Sequence, residues 1–240
     1  LQQLREIRKY LHQEQQVLEH CMSGILKKLE DEGISVKSYD EVNQHEKNHL
    51  NRFFNENIYP VIIPIAVDAT HPFPHLNNLS FGLIVKLSDS DNTSIERFGI
   101  IRVPRVLNRF IELENGIYVP IESLVAQHVE DLFPGYTLLK YASFRVTRNA
   151  DIEIEEEEAD DFLELLQEGL RSRNKGSLIR LEFTEGANKK LIKFLLSHLD
   201  LDDIDIYTYK SLPLNLGSLW QIVGDKALSH LVLPTFNPKT

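Results

Sequence analysis

Cysteine, methionine and tryptophan each occur only once, as Cys21, Met22 and Trp220. A lone cysteine rules out an internal disulfide framework and any metal knuckle of paired thiols, so a reducing, cytoplasmic setting is expected. No apolar run reaches the roughly 18 to 20 residues of a bilayer span. The densest, Tyr59 to Val67, is broken by Pro60 and Pro64. The chain opens on neither methionine nor a basic-then-apolar leader, so nothing points to export and the first residue is expected to be a cut. Positive charge is in deficit: 26 Lys and Arg against 36 Asp and Glu give −10, which argues against general attraction to nucleic acid or acidic lipid. Also missing are a Gly-rich loop ending in Lys-Ser or Lys-Thr and a dinucleotide glycine fingerprint.

What is present describes a folded protein. With 42% hydrophobic and 26% charged residues, the 240-residue chain is globular, as one large or two modest domains. The acidity is local. Ten carboxylates and no Lys or Arg fall between Asp151 and Glu168, and without them 26 acids face 26 bases.

Leu4, Ile7, Leu11, Leu18, Met22, Ile25 and Leu29 form one apolar stripe, which predicts a helix ending at Gly33. At about 45 Å it needs partner helices, expected upstream of Leu1. Cys21, beside the stripe, is expected to be buried and inert. Ser38 and Glu41 spell a capping box for a second helix carrying Val42, His49, Leu50, Phe53 and Phe54 as far as Pro60. The period then shortens. Leu79 to Leu87 and Arg97 to Val103 read as buried strands, and Asn115-Gly116 marks a hairpin. A helix from Pro120 to Phe133, a strand from Thr137 to Ile154 and an acidic helix from Glu155 to Arg171, buried through Ala159, Phe162, Leu166 and Leu170, follow. A strand in "SLIRLEF", a helix in "NKKLIKFLLSHL", a strand in "DIDIYTY" and a Trp220-bearing turn complete the pattern, and the end reads as a linker. The fold class is α+β: a long N-terminal helix from a helical bundle, then a head domain with a mixed or mostly antiparallel sheet.

Three stretches invite chemistry. The acidic run suggests a divalent metal, but ligands must converge, and a continuous helical run of carboxylates fans into solvent. "FRVTRNAD" places Arg145, Arg148 and Asn149 near a strand end, where guanidinium forks suit phosphate oxygens. The same arginines could equally pair with the ten downstream carboxylates. In "VDATHPFPHLNNLSF", Asp68 and His71 could form an acid-base pair, but no nucleophile or metal site is near. Pro72 and Pro74 instead push His71 and Phe73 into extended conformations, giving a stiff connector with Phe73 against the core.

"YPVIIPIAVDATHPFPHLNNLSF", "IIRVPRVLNRFIEL", "FRVTRNADIEIEEEEADDF" and "LWQIV", in this order, resemble bacterial polyphosphate kinase across nearly the whole chain. The resemblance implies an enzyme that reversibly transfers the terminal phosphate of ATP to polyphosphate. Its catalytic histidines and the ATP and Mg²⁺ sites would lie in C-terminal domains outside this chain, so no catalytic, cofactor or metal residue is assigned here. It makes 1–37 the last helix of the N-terminal helical domain and 38–240 the head domain, which would support dimer contacts and shape the substrate tunnel. That role carries over to the region and to no single residue; Arg145, Arg148 and Asn149 stay the candidate anion or tunnel contacts on their own chemistry, and Asp68, His71, Pro72, Phe73 and Pro74 form a signature structural loop. The implied partners are ATP or ADP, polyphosphate and further copies of the chain. The implied setting is cytoplasmic, with peripheral inner-membrane association as an alternative. Asn77 and Asn78 resemble part of the family's nucleotide-holding "NNLDEF" motif, but lie in the wrong domain and lack its acidic pair, so they do not inherit that role. The other reading is a free-standing anion-binding module without activity, using Arg145 and Arg148.

Overall fold

The computed structural model describes residues 2–67, 73–149, 177–210 and 213–233. The first helix, α1, runs over Gln2–Asp31. Gly33 stops it at φ +81°, where the Gly33 N–H donates to Glu30 and the Ile34 N–H to Leu29, a glycine-closed helix end. Its apolar stripe is less covered than the spacing predicts. Met22 is buried, but Ile7, Leu11, Leu18 and Ile25 are exposed. Cys21 is exposed as well, a correction of the buried thiol expected from its place beside the stripe.

After α1 comes short β1 (Ser35–Val36). The Ser38–Glu41 capping box forms, but it closes only a 3₁₀ turn, Tyr39–Glu41. Helix α2, Gln44–Phe53, starts instead at Asn43, whose side chain accepts the Glu46 N–H while Glu46 accepts the Asn43 N–H. A capping pair satisfies orphan donors at the first turn, and Asn43–Glu46 is the second such pair within six residues, so the sequence offered two starts.

The main sheet has six strands in the order β2-β4-β3-β7-β8-β9. They are β2 (Ile63–Val67), β3 (Phe81–Asp89), β4 (Glu96–Arg102), β7 (Tyr136–Arg148), β8 (Leu178–Thr184) and β9 (Ile206–Tyr209). All neighbours are antiparallel except β8 and β9. A second sheet, β1-β6-β5, holds the hairpin of β5 (Phe110–Leu113) and β6 (Ile117–Pro120). Asn115 and Gly116 take φ of 62° and 71°, as that turn requires.

Both faces of the main sheet are covered, which is why β3 reads as an unbroken apolar run. Leu83, Val85 and Leu87 point into a core shared with Leu50, Phe54, Leu124 and Val129. Ile84 points the other way, into a core with Phe144, Val146, Leu181 and Phe183. Leu191, Leu195 and Leu199 of α5 (Lys189–Leu199), the crossover between β8 and β9, close that side. Each such side chain contributes about 1.5 to 3 kcal/mol on leaving water.

Residues Pro120 to Phe133 give two helices rather than one, α3 (Ile121–Gln127) and α4 (Val129–Leu132). The break is His128, at φ −106° and ψ 18°. Its ring stacks on Phe54 at 3.9 Å while its nitrogens meet Asn51 at 3.0 Å and Asp131 at 2.7 Å. Those tertiary contacts outweigh the helical spacing of the sequence.

Helix α1 lies along the open edge of β9 and meets it through polar groups. Arg8 donates to the carbonyls of Asp203 and Ile206, Gln15 to that of Thr208, and Glu19 accepts the Lys210 N–H. The helix thus satisfies an edge that would otherwise present free backbone groups. Trp220 opens a short helix, α6, Trp220–Val223.

Candidate functional site

Strand β7 delivers the arginines singled out in the sequence, but to two different places. Phe144 and Val146 are buried in the core, and Arg145 lies on the opposite face of the strand in register with Phe81 of β3 and Glu182 of β8. The ladder shifts register between Thr147 and Arg148, so Arg148 does not continue the row. Arg145 lines one cleft. Arg148 lines a separate hollow with Phe73, Pro74, His198 and Asp200. Asn149 donates its backbone N–H to Ser177, a strand-end contact, and does not line the first cleft.

Arg145 donates to Glu182 at 2.9 Å, and Arg180 approaches the same carboxylate at 3.3 Å. The expected pairing with the acidic run falls outside the described residues, as do the acidic helix and Asp68, His71 and Pro72. Phe73 is described: it packs on Phe194 and, at 5.2 Å, on the ring of His198, so it is held against the core as predicted.

The cleft that holds Arg145 occupies about 730 Å³ at the end of the sheet, where β2, β3, β4 and β7 meet. Arg102, Arg105 and Arg109 line it too, and among the described residues no acidic side chain does. Arg109 stacks with its guanidinium carbon 3.4 Å from the centroid of Phe81 and pairs with Glu122 of α3. Both partners are largely buried, at 8% and 14% side-chain exposure. Burial pushes the Glu122 carboxyl above its usual range, against the pull of Arg109. Burial likewise lowers Arg109, Glu122 raises it, and the nearby charge of Arg145 lowers it again. Its ordinary value is high enough that it remains a cation.

The loop following the proline pair positions the remaining guanidinium groups. The carbonyl of His75 accepts from Arg102 at 3.4 Å, that of Leu76 from Arg148 at 2.7 Å, and that of Asn78 from Arg105. The Asn78 side chain accepts the Arg148 backbone N–H at 2.8 Å. Asn78 is therefore a structural clamp on two arginines. Leu79 then takes φ +60°, an uncommon conformation for a leucine, at the cleft wall. Three successive carbonyl acceptors of this loop thus hold three arginine side chains.

Sequence reasoning missed Arg102, Arg105 and Arg109 as site residues. Their signal was three arginines within eight residues of "RVPRVLNR". Only the fold brings Arg145, 36 positions after Arg109, against them. Among the described residues no group of three or more His, Cys, Asp or Glu stands together as metal ligands, and no helix is long and apolar enough to cross a membrane.

Comparison with known proteins places this architecture. Residues 45–222 match the family described as polyphosphate kinase middle domain. Polyphosphate kinase of Campylobacter jejuni subsp. doylei is 53% identical over the whole chain, which spans 34% of that protein. Polyphosphate kinase of Helicobacter pylori is 36% identical over 99% of the chain and 36% of its own length. That of Synechocystis is 40% identical over 86% of the chain and 30% of its own length. The crystal structure of polyphosphate kinase from Porphyromonas gingivalis superposes on 99% of the chain and 34% of its own length with a TM-score of 0.78; at 21% identity it speaks for the fold. The chain spans about a third of the length of these curated relatives. By the family match and by whole-chain identity, it belongs to the polyphosphate kinase family, in the region of the middle domain.

Proposed function

We propose that this chain serves as a non-catalytic part of a polyphosphate kinase, an enzyme that reversibly transfers the terminal phosphate of ATP to polyphosphate. Its work is to pack on the catalytic half, support assembly into dimers or larger oligomers, and frame the route of the anionic polymer. The observation that carries this reading is a cleft lined, among the described residues, by four arginines and no acid, in a chain of net charge −10. Phosphoryl transfer depends on positioning and charge neutralisation, so a domain that performs no chemistry still contributes by shaping the site. Exposed Val17, Val106, Trp220 and Leu233 supply apolar surface of the kind that neighbouring domains cover. ATP and Mg²⁺ belong, on this reading, to the rest of such an enzyme.

The alternative, a free-standing anion-binding module, used Arg145 and Arg148 as a pair, and they line different hollows. The test is phosphotransfer by the 240-residue chain with ATP, Mg²⁺ and a polyphosphate primer. No labelled phosphate is expected in polymer, and activity is expected when the same residues are present within a protein as long as the relatives. Polymer synthesis by the chain alone overturns the reading.

A further inference from the structure

A separate hollow, of about 170 Å³, lies where α1, the small sheet and the 213–219 segment come together. Met22 and Leu26 of α1, Phe110 of β5 and Leu219 give it apolar walls, and its charged wall residues are Glu122 and Lys210. The Lys210 ammonium turns to Glu185, 3.4 Å away in an exposed pair. Glu122 is left as the group that can recognise an occupant.

That carboxylate is only half used. Arg109 donates through Nη2 to Oε1, while Oε2 is buried and has no hydrogen-bond partner among the described residues. Arg109 Nε is unbonded as well, so the pair does not close as a two-pronged fork. A buried acceptor without a donor is costly and uncommon in folded proteins.

The walls define what fits. A buried water needs about two to four polar partners, whereas an apolar cavity of about 150 Å³ stays dry and takes a benzene ring. The hollow is of that size, and Oε2 adds a demand for one donor. A cationic occupant is opposed by Arg109 on the same carboxylate and by Lys210 at the wall, and an anionic one by Glu122. A neutral hydroxyl satisfies Oε2. Because it both donates and accepts, it also fits a protonated Glu122, the form that burial favours.

We propose that the hollow beside α1 is a binding site for a small neutral molecule with an apolar body of about six carbons and one hydroxyl, with Glu122 Oε2 as its acceptor. The proposal does not draw on the functional reading above. An occupant would tie α1 to the small sheet and the 213–219 segment, and through the shared carboxylate it would adjoin Arg109.

Met22 is the only methionine, so ¹³C labelling of the methionine methyl gives one resonance, reporting from the wall of the hollow. The 240-residue chain is titrated with phenol, toluene, benzylamine and benzoate. Phenol is expected to shift the Met22 resonance saturably and to bind at least about threefold tighter than toluene, which has the same shape and more apolar surface but no donor. Benzylamine and benzoate are expected to bind more weakly than phenol. Leu26→Trp and Leu219→Trp fill the hollow from two different elements, and each is expected to abolish the phenol shift. Circular dichroism and thermal midpoint show which variants fold; one that folds suffices, and the comparison with toluene needs neither. Absence of a saturable phenol shift overturns the site, the carboxylate then closing on Arg109 or holding water. Toluene binding as tightly as phenol overturns Glu122 as the recognising group, and tighter binding of benzylamine overturns the neutral donor in favour of a cation. A phenol shift that survives in a folded Trp variant places the binding elsewhere.

Discussion

Arg109 and Glu122 make opposite predictions when each is removed alone. Their ion pair is largely buried beneath the cleft, with side-chain exposures of 8% and 14%. Glu122→Met leaves a guanidinium in a dry site, and arginine cannot escape by losing its proton. The expected cost is about 3 to 5 kcal/mol, the same at pH 5 and pH 7. Arg109→Met leaves a carboxyl that can escape by protonation. Burial already raises the Glu122 pKa, and Arg109 is the largest influence holding it down. A carboxyl with a raised folded pKa contributes its full stability below the unfolded value and loses it as pH rises through the folded one. The cost of Arg109→Met should therefore grow from pH 5 to pH 7, by up to about 1.4 kcal/mol per unit. At the acid end it should fall towards the lost stacking on Phe81, about 1 to 2 kcal/mol. Replacing both by Met should recover most of the loss, because no unpaired charge stays inside. Urea unfolding of the wild type, both single variants and the double variant at the two pH values measures all of this. A Glu122→Met cost below about 1 kcal/mol, or a pH dependence seen in Glu122→Met and not in Arg109→Met, refutes the reasoning.

Two further outcomes probe the frame around the site. Gly116→Ala should destabilise the protein by about 2 kcal/mol or more, since φ is +71° and a Cβ would sit 2.5 Å from the Gly33 carbonyl oxygen; thermal unfolding within a few tenths of a kcal/mol of wild type would contradict the close approach. Glu41 is held below the usual carboxylate range by the Ser38 hydroxyl and then the Ser38 N–H, so its contribution is present above the unfolded pKa and lost as pH falls through the folded one. Glu41→Gln should flatten the acid limb of the stability curve, and an unchanged limb would show that the turn does not feel this proton.

Local pattern reached the elements whose stability is decided locally. The stop at Gly33, the Asn115-Gly116 turn and the alternation of Phe144 and Val146 with Arg145 follow from backbone freedom and period, which neighbours in sequence specify. The start of α2 was misjudged because Ser38 and Asn43 both head capping boxes, and local chemistry does not rank them. His128 was missed because its stacking partner, Phe54, lies 74 residues earlier. The site was half legible. Arg145 stood out, while Arg102, Arg105 and Arg109 served only as part of a family signature.

By itself the sequence determined the family and the α+β class. The tertiary structure decided which arginines act together. A register shift of the ladder between Thr147 and Arg148 separates Arg145 from Arg148, three positions away, while Phe81, opposite Arg145 on β3, is the ring on which Arg109, 36 positions away, stacks. Charges meet through register and loop geometry, which sequence spacing does not encode.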